Sequence, residues 1–315
     1  MHKPSPTPFD RLIALIIGNF SAPRGGRRIL IALLYGCVCH AIFAVAVISM
    51  IVVMSTGMTA SFGRVPAPWS WVANLLLVLQ FPLGHSLLLS KMGRKIISLF
   101  AKNAHAATLQ TTIFATLSSV QLSLLFLFWT PSGIVWWVAE GEMKWVLTAL
   151  YACSWLLLMK ASYDAGAEVQ SGALGWMSLL QKIKPNYPDM PTTGLFAIIR
   201  QPIYLSFTLT LWTVPVWTPD QLVLSTILTA YCVVAPRFKE RRFQARFGAE
   251  FDHAADDTSK LHNENLNKDD RICLICGAGG QAALAGKTMV DMGYTNVVNV
   301  GGFADWQAAG GETEE

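Results

Sequence analysis

The chain has 315 residues, of which 53% are hydrophobic and only 14% charged, and its mean hydropathy is positive. That balance excludes an ordinary water-soluble domain. The formal net charge of +4 hides an asymmetry: residues 1–249 carry 20 basic and 8 acidic side chains, residues 250–315 carry 4 and 12. Such a contrast marks separate units.

Residues 1–27 read as a cytoplasmic leader. Within it Phe9–Phe20, with Arg11 and the apolar stretch Leu12–Ile17, is either an amphipathic helix lying flat at the membrane interface or a poorly ordered segment. No cleavable signal peptide is expected, because the first apolar run is too long for one. Runs long enough to cross a bilayer, about 20 residues each, follow at Arg28–Thr56, Ala67–Ser90, Thr111–Thr130 and Lys144–Lys160. Two shorter ones, Gln201–Trp217 and Pro219–Ala235, are bounded by prolines. The fold class is therefore an all-α polytopic membrane protein of about six transmembrane helices, or five spans with a re-entrant pair.

Charge placement orients it. Lys and Arg gather before the first span (Arg24, Arg27, Arg28), after the second (Lys91, Arg94, Lys95), after the fourth (Lys182, Lys184, Arg200) and after the sixth (Arg237, Lys239, Arg241). Under the positive-inside rule both termini are cytoplasmic. Cys37, Cys39, Cys153 and Cys232 fall inside spans as small apolar residues. Cys37, Cys39 and His40 point in different directions on a helix, so no metal site is expected.

The membrane part is taken as residues 28–251, with a linker at residues 252–269 and a different grammar at residues 270–315. Arg271–Cys276 reads as a strand, Gly277–Gly280 as a tight loop, Gln281–Met292 as a helix ending on Gly293, and Thr295–Val300 as a second strand. Three chemistries compete for this tail. Cys273 and Cys276 make a C-x-x-C, but on a strand positions i and i+3 face opposite ways. Gly277-x-Gly279-x-x-Ala282 satisfies a relaxed dinucleotide fingerprint, but Val300-Gly301 stands where an acidic residue belongs. Cys276 at a strand end, followed by a loop and a helix, would sit among N–H donors that favour a thiolate.

That last pattern, with Cys276-x-x-Gly279-x-Gln281 and the closing Met292–Val297, Gly301-Gly302-Phe303 and Trp306, resembles the C-terminal half of a rhodanese domain. Gln281 stands where the family has arginine, and the first half of such a domain is missing. The resemblance implies a small α/β fragment with a weak or inactive sulfurtransferase cysteine, Cys276, and a homo-oligomer formed through the fragment.

The membrane part resembles the isoprenylcysteine carboxyl methyltransferase superfamily, closest to the bacterial methanethiol S-methyltransferases and NnrU-like proteins. Leu33–Gly36, Gly84-His85-Ser86, Tyr163-Asp164 with Gln170, Arg200-Gln201-Pro202-Ile203-Tyr204-Leu205 and Phe238–Phe243 occur in the family's order. Gln201 replaces the family's histidine and Lys239 the first of two glutamates. The resemblance implies S-adenosylmethionine held at the cytoplasmic helix ends by Gly194, Arg200, Gln201, Pro202, Tyr204, Glu240 and Arg241. Glu240 suits an amine or ribose, and an arginine suits the cofactor carboxylate. His85, Asp164 and Gln201 are the implied catalytic residues. It further implies a bacterial inner-membrane enzyme that methylates a small thiol, such as methanethiol, to a thioether; membrane lipids are the other partner and nucleic acid is not one. A carboxylate or lipid methyltransferase, and a non-enzymatic membrane protein with a degenerate sulfurtransferase tail, stand as alternatives.

Overall fold

A computed structural model of the chain describes residues 7–101, 103–188, 191, 193–247, 267–269, 271–276, 286–287, 289–290 and 292–302. It divides into two units, Met1–Phe238 and Lys239–Glu315, each taken by itself below.

The first unit begins with α1 (Pro8–Gly18). Thr7 caps it, accepting from the Asp10 N–H while the Asp10 carboxylate accepts from the Thr7 N–H, and Pro8 opens its first turn. Phe9, Ile17 and Phe20 remain exposed, as an interfacial helix requires. Four long apolar helices follow: α2 (Gly26–Ser55), α3 (Trp69–Leu88), α6 (Gln110–Phe128) and α7 (Gly141–Asp164). Between α3 and α6 lie α4 (Lys91–Leu99), capped by Ser90, and the single turn α5 (Asn103–Ala106). After α7 come α8 (Ala167–Gln170), α9 (Ala173–Gln181), α10 (Pro202–Trp212) and α11 (Pro219–Phe247), the last crossing the unit boundary.

Five of these helices, α2, α3, α6, α7 and Pro219–Glu240 of α11, are long and apolar enough to cross a membrane. The chain is a helical membrane protein. The expected span Gln201–Trp217 differs: α10 has 11 residues, about 16 Å at 1.5 Å per residue, half a hydrocarbon core. Thr213 closes the helix and Pro215 follows two residues on, so the chain covers the remaining distance as non-helical backbone. It still runs from one end of the bundle to the other. At one end Leu195 meets Asp164; at the other Thr218 Oγ1 donates to the Gly57 carbonyl, and β2 (Val216–Trp217) pairs antiparallel with β1 (Trp137–Val138). Further bonds lock that Gly57 end, including Phe62 N–H to Leu127 O and a two-way exchange between the Asn74 side chain and the Thr130 backbone.

A core of Met54, Met58, Val78, Leu125, Phe126, Trp129, Leu211, Leu224 and Leu228 fills the interior near the Gly57 end. Leu76, Leu83, Leu156 and Met159 point outward, as expected where the solvent is itself apolar. Lipid removes most of the hydrophobic drive between helices, leaving close packing and interhelical hydrogen bonds to hold the bundle. Accordingly α9 is wedged in at the Asp164 end. A Cβ on Gly36 would meet the Trp176 ring at 2.7 Å, and one on Gly175 would meet Thr112 Oγ1 at 2.6 Å. Thr112 also donates to the Gly172 carbonyl and accepts from the Trp176 N–H. Cys39 faces the Thr112 and Ser171 carbonyls, His40 accepts from the Trp176 ring, and Cys37 is exposed.

In the second unit β3 (Ile272–Cys276) and β4 (Val297–Gly302) pair in parallel, Cys276 opposite Gly302, with a register shift after Leu274. Residues 286–287 and 289–290 are helical, and Met289 is buried. A strand, a helix and a parallel strand are the α/β grammar read from the tail.

Candidate functional site

At the Asp164 end the chain gathers buried charge, which a membrane protein retains only where it is paired or used. Asp164, 8% exposed, is the last residue of α7. Lys160, one turn earlier, donates to both carboxylate oxygens, and the Leu195 N–H donates to Oδ2 at 2.8 Å. Gly194 makes this approach feasible. Its φ is +64°, and a Cβ there would lie 2.4 Å from Asp164 Oδ2. The carboxylate therefore fastens the segment leading into α10 to the end of α7, which is the work of a positioning residue.

That segment delivers the Arg200–Tyr204 motif to the start of α10. Pro202 is at its first position, where a missing N–H costs nothing, and is buried. Gln201 is the N-cap and its carbonyl accepts from the Leu205 N–H. Gln201 and Tyr204 are half-buried, while Arg200 is exposed.

One residue at this end carried no sequence signal. Glu168, four residues after Asp164, is 2% exposed. Arg11 Nε of α1 pairs with its Oε1 at 3.1 Å, and its Oε2 is buried with no partner among the described residues. The partners are 157 positions apart, so neither composition nor periodicity could join them. Gln181 adds to the docking of α1 by donating to the Leu15 carbonyl and to Asn19 Oδ1.

His85 is built into the α3–α6 seam. Its Nδ1 lies 3.2 Å from Ser118 Oγ, and its ring packs between Phe81 at 5.3 Å and Phe114 at 5.1 Å. Phe81 in turn meets Tyr231 of α11 edge-on. One turn deeper, the Gln80 and Gln121 amides each donate to the other's backbone carbonyl.

The structure thus joins Asp164 to Gly194 and Leu195, and sets His85 in an aromatic niche of its own. Glu240 is half-buried on the α11 portion of the second unit. Arg241 is helical there, and its side chain lies outside the described residues. Cys276 ends β3; the loop Gly277–Gln281 that would surround its sulfur is likewise outside them.

Comparison with known proteins finds similarity of two kinds. A rhodanese-like domain model matches residues 218–309, a stretch that takes in the whole of α11. Over 180 residues the chain is 28% identical to methanethiol S-methyltransferase 2 of Bradyrhizobium diazoefficiens, covering 57% of this chain and 68% of that protein. Against the methanethiol S-methyltransferase of Pseudomonas deceptionensis it is 25% identical over 185 residues, 58% of this chain and 69% of the relative. Nurim of Xenopus laevis is 27% identical over 201 residues, 56% and 67% of the two chains. No solved structure matches. The chain is a helical membrane relative of the methanethiol S-methyltransferases and nurim, with a rhodanese-like domain toward its C-terminus.

Proposed function

We propose that this protein is a membrane methyltransferase that takes its methyl group from S-adenosylmethionine and passes it to a small thiol such as methanethiol. The observation that carries the reading is the clamp of Gly194 and Leu195 on Asp164, which anchors the segment leading into the Arg200–Tyr204 motif to the end of α7. Arg200 is exposed and Gln201 and Tyr204 are half-buried, so the motif presents a cation for a carboxylate and hydrogen-bonding groups for an amine or ribose, and the residues present fit this cofactor.

When bound, the cofactor would supply an electrophilic methyl carried on a sulfonium sulfur, for transfer to the sulfur of the thiol. The chain supplies alignment and a dry site. Arg200 pairs with the cofactor carboxylate, Gln201 and Tyr204 orient it, and Glu240 and Arg241 act as the family resemblance implies. Gln201 donates and accepts hydrogen bonds but does not titrate near neutral pH. His85 would position or deprotonate the thiol, as the family resemblance implies. Asp164 holds the loop.

The deciding experiment incubates the purified full chain with labelled cofactor and a panel of thiols and identifies the product. A labelled thioether is the expected result; no cofactor binding at all would make the chain a non-enzymatic membrane relative. Glu240→Ala should weaken cofactor binding by roughly 10- to 150-fold, the worth of one hydrogen bond to a charged group. Gln201→His should keep or raise activity. Unchanged calorimetric affinity in Glu240→Ala would show that this motif does not touch the cofactor.

The same reading puts the Asp164 end in the cytoplasm of a bacterial cell, the protein in its inner membrane, and both termini inside. Reporter fusions at Met58, Gly141 and Pro219 should report the periplasm, and those at Lys95, Lys184 and Glu250 the cytoplasm. A periplasmic signal at Glu250 would reverse the orientation.

A further inference from the structure

A cavity of about 550 Å³, within the ~300–1,000 Å³ range of small-molecule sites, opens at the start of α2, and its described lining includes no residue of the Arg200–Tyr204 motif. Its polar wall is Arg27, Arg28, Tyr35 and His105; its apolar wall includes Ile31 and Leu109. Three features of this place go together poorly without a ligand. The first turn of α2 contains two arginines and no acidic residue, although a helix N-terminus repels cations. Its N-cap is Gly25, which has no side chain to receive the opening N–H groups. Arg28 lies over that terminus: a Cβ on Gly25 would be 3.2 Å from Arg28 Nη1. Arg28 Nη2 donates to the Pro23 carbonyl, but Nε is buried with no partner among the described residues.

An anion placed there removes all three conflicts. It accepts from the uncapped N–H groups and neutralises the guanidinium charges gathered over them. Among the described residues no Asp or Glu lines the cavity to do this instead. Tyr35 holds the wall by donating to the Phe100 carbonyl, which ties α2 to the end of α4. The apolar side speaks for an amphiphile rather than a free ion. Ile31 and Leu109 continue the cavity, and Leu30 and Leu34 on the same stretch of α2 are 59% and 55% exposed, as residues facing acyl chains are.

We propose that this cavity binds the anionic head group of a membrane phospholipid, with the phosphodiester on Arg27, Arg28 and the first turn of α2 and the glycerol end against Ile31 and Leu109. His105 offers a further donor. Such a site would anchor α2 where the bundle meets the membrane surface, and it is independent of any methyl-transfer activity.

The test is native mass spectrometry of the full chain after equilibration with vesicles of phosphatidylglycerol or of phosphatidylcholine, with inorganic phosphate as a third arm. Retention of phosphatidylglycerol over phosphatidylcholine is expected, falling by about tenfold in Arg27→Gln or Arg28→Gln, as loss of a charged hydrogen bond implies. Arg27 is exposed, so its replacement leaves the fold intact. Lys91→Gln and Lys95→Gln, on α4 outside the cavity lining, should leave retention unchanged. Equal retention of both lipids, equal loss in the α4 variants, or binding of inorganic phosphate without lipid would each overturn the assignment.

Discussion

Gly194→Ala should lose most cofactor binding and markedly lower the unfolding midpoint in mild detergent. Two costs combine. The backbone sits at φ +64°, where a side chain costs about 1–2 kcal/mol. The added Cβ would also stand 2.4 Å from Oδ2, 2.6 Å from Cγ and 2.9 Å from Oδ1 of Asp164. A carboxylate fixed by Lys160 and by the Leu195 N–H cannot withdraw without giving up a charged hydrogen bond, worth about 1.5–3 kcal/mol. The sum is roughly 2.5–5 kcal/mol, a large share of the 5–15 kcal/mol by which folded domains are stable.

A second substitution separates this clamp from a generic loop defect. Asp164→Ala alone should also loosen the segment before α10, since the Leu195 N–H is left without its acceptor. Combined with Gly194→Ala it should cost clearly less than the sum of the two, because each removes the same contact. Strict additivity, or a Gly194→Ala protein as stable as the parent, would mean that the contact contributes nothing. The loop that carries Arg200 and Gln201 would then need another anchor.

Much of the bundle was legible in the sequence because a membrane imposes one constraint on every span. Apolar runs at Thr111–Thr130 and Lys144–Lys160 became helices at Gln110–Phe128 and Gly141–Asp164. What failed to show was local. The segment carrying α8 and α9 falls between the expected spans, and the sequence assigns it no element. In the fold Gly166 and Gly172, both at positive φ, let α9 turn back into the bundle. The shortening of α10 depends on a turn at Thr213 that apolar counting cannot see, and α11 continues through Pro236 although proline removes one ladder bond.

The site was legible to the same degree. Gly194 and Asp164 belong to motifs far apart in the chain, and their meeting is a tertiary fact. Glu168 stands out only once Arg11 is beside it. His85 could be picked as polar in an apolar run, but its niche of Phe81, Phe114 and Ser118 comes from three turns of two helices.

Asp220 is the clearest case of a residue whose weight comes from packing, and Asp220→Ala should be among the most destabilising changes in the chain. In sequence it is a lone acid in a loop. In the structure it is 1% exposed in the first turn of α11, where the helix dipole favours a negative charge. Oδ1 accepts from the Trp129 ring N–H at 2.9 Å; Oδ2 accepts from the Ser132 N–H at 2.9 Å and from the Ser132 hydroxyl. One carboxylate thus ties the end of α6 to the start of α11. Truncation removes three charge-assisted bonds and strands the buried Trp129 N–H, so a loss of about 3–6 kcal/mol is expected. Asp220→Asn keeps the shape and loses fewer acceptors, and should fall between the two. The measurement is thermal unfolding of the purified protein in detergent. Equal stability of the parent and Asp220→Ala would mean that water or lipid head groups replace all three bonds, and that the Gly57 end is held by its β1–β2 pairing and the Thr218 bond instead.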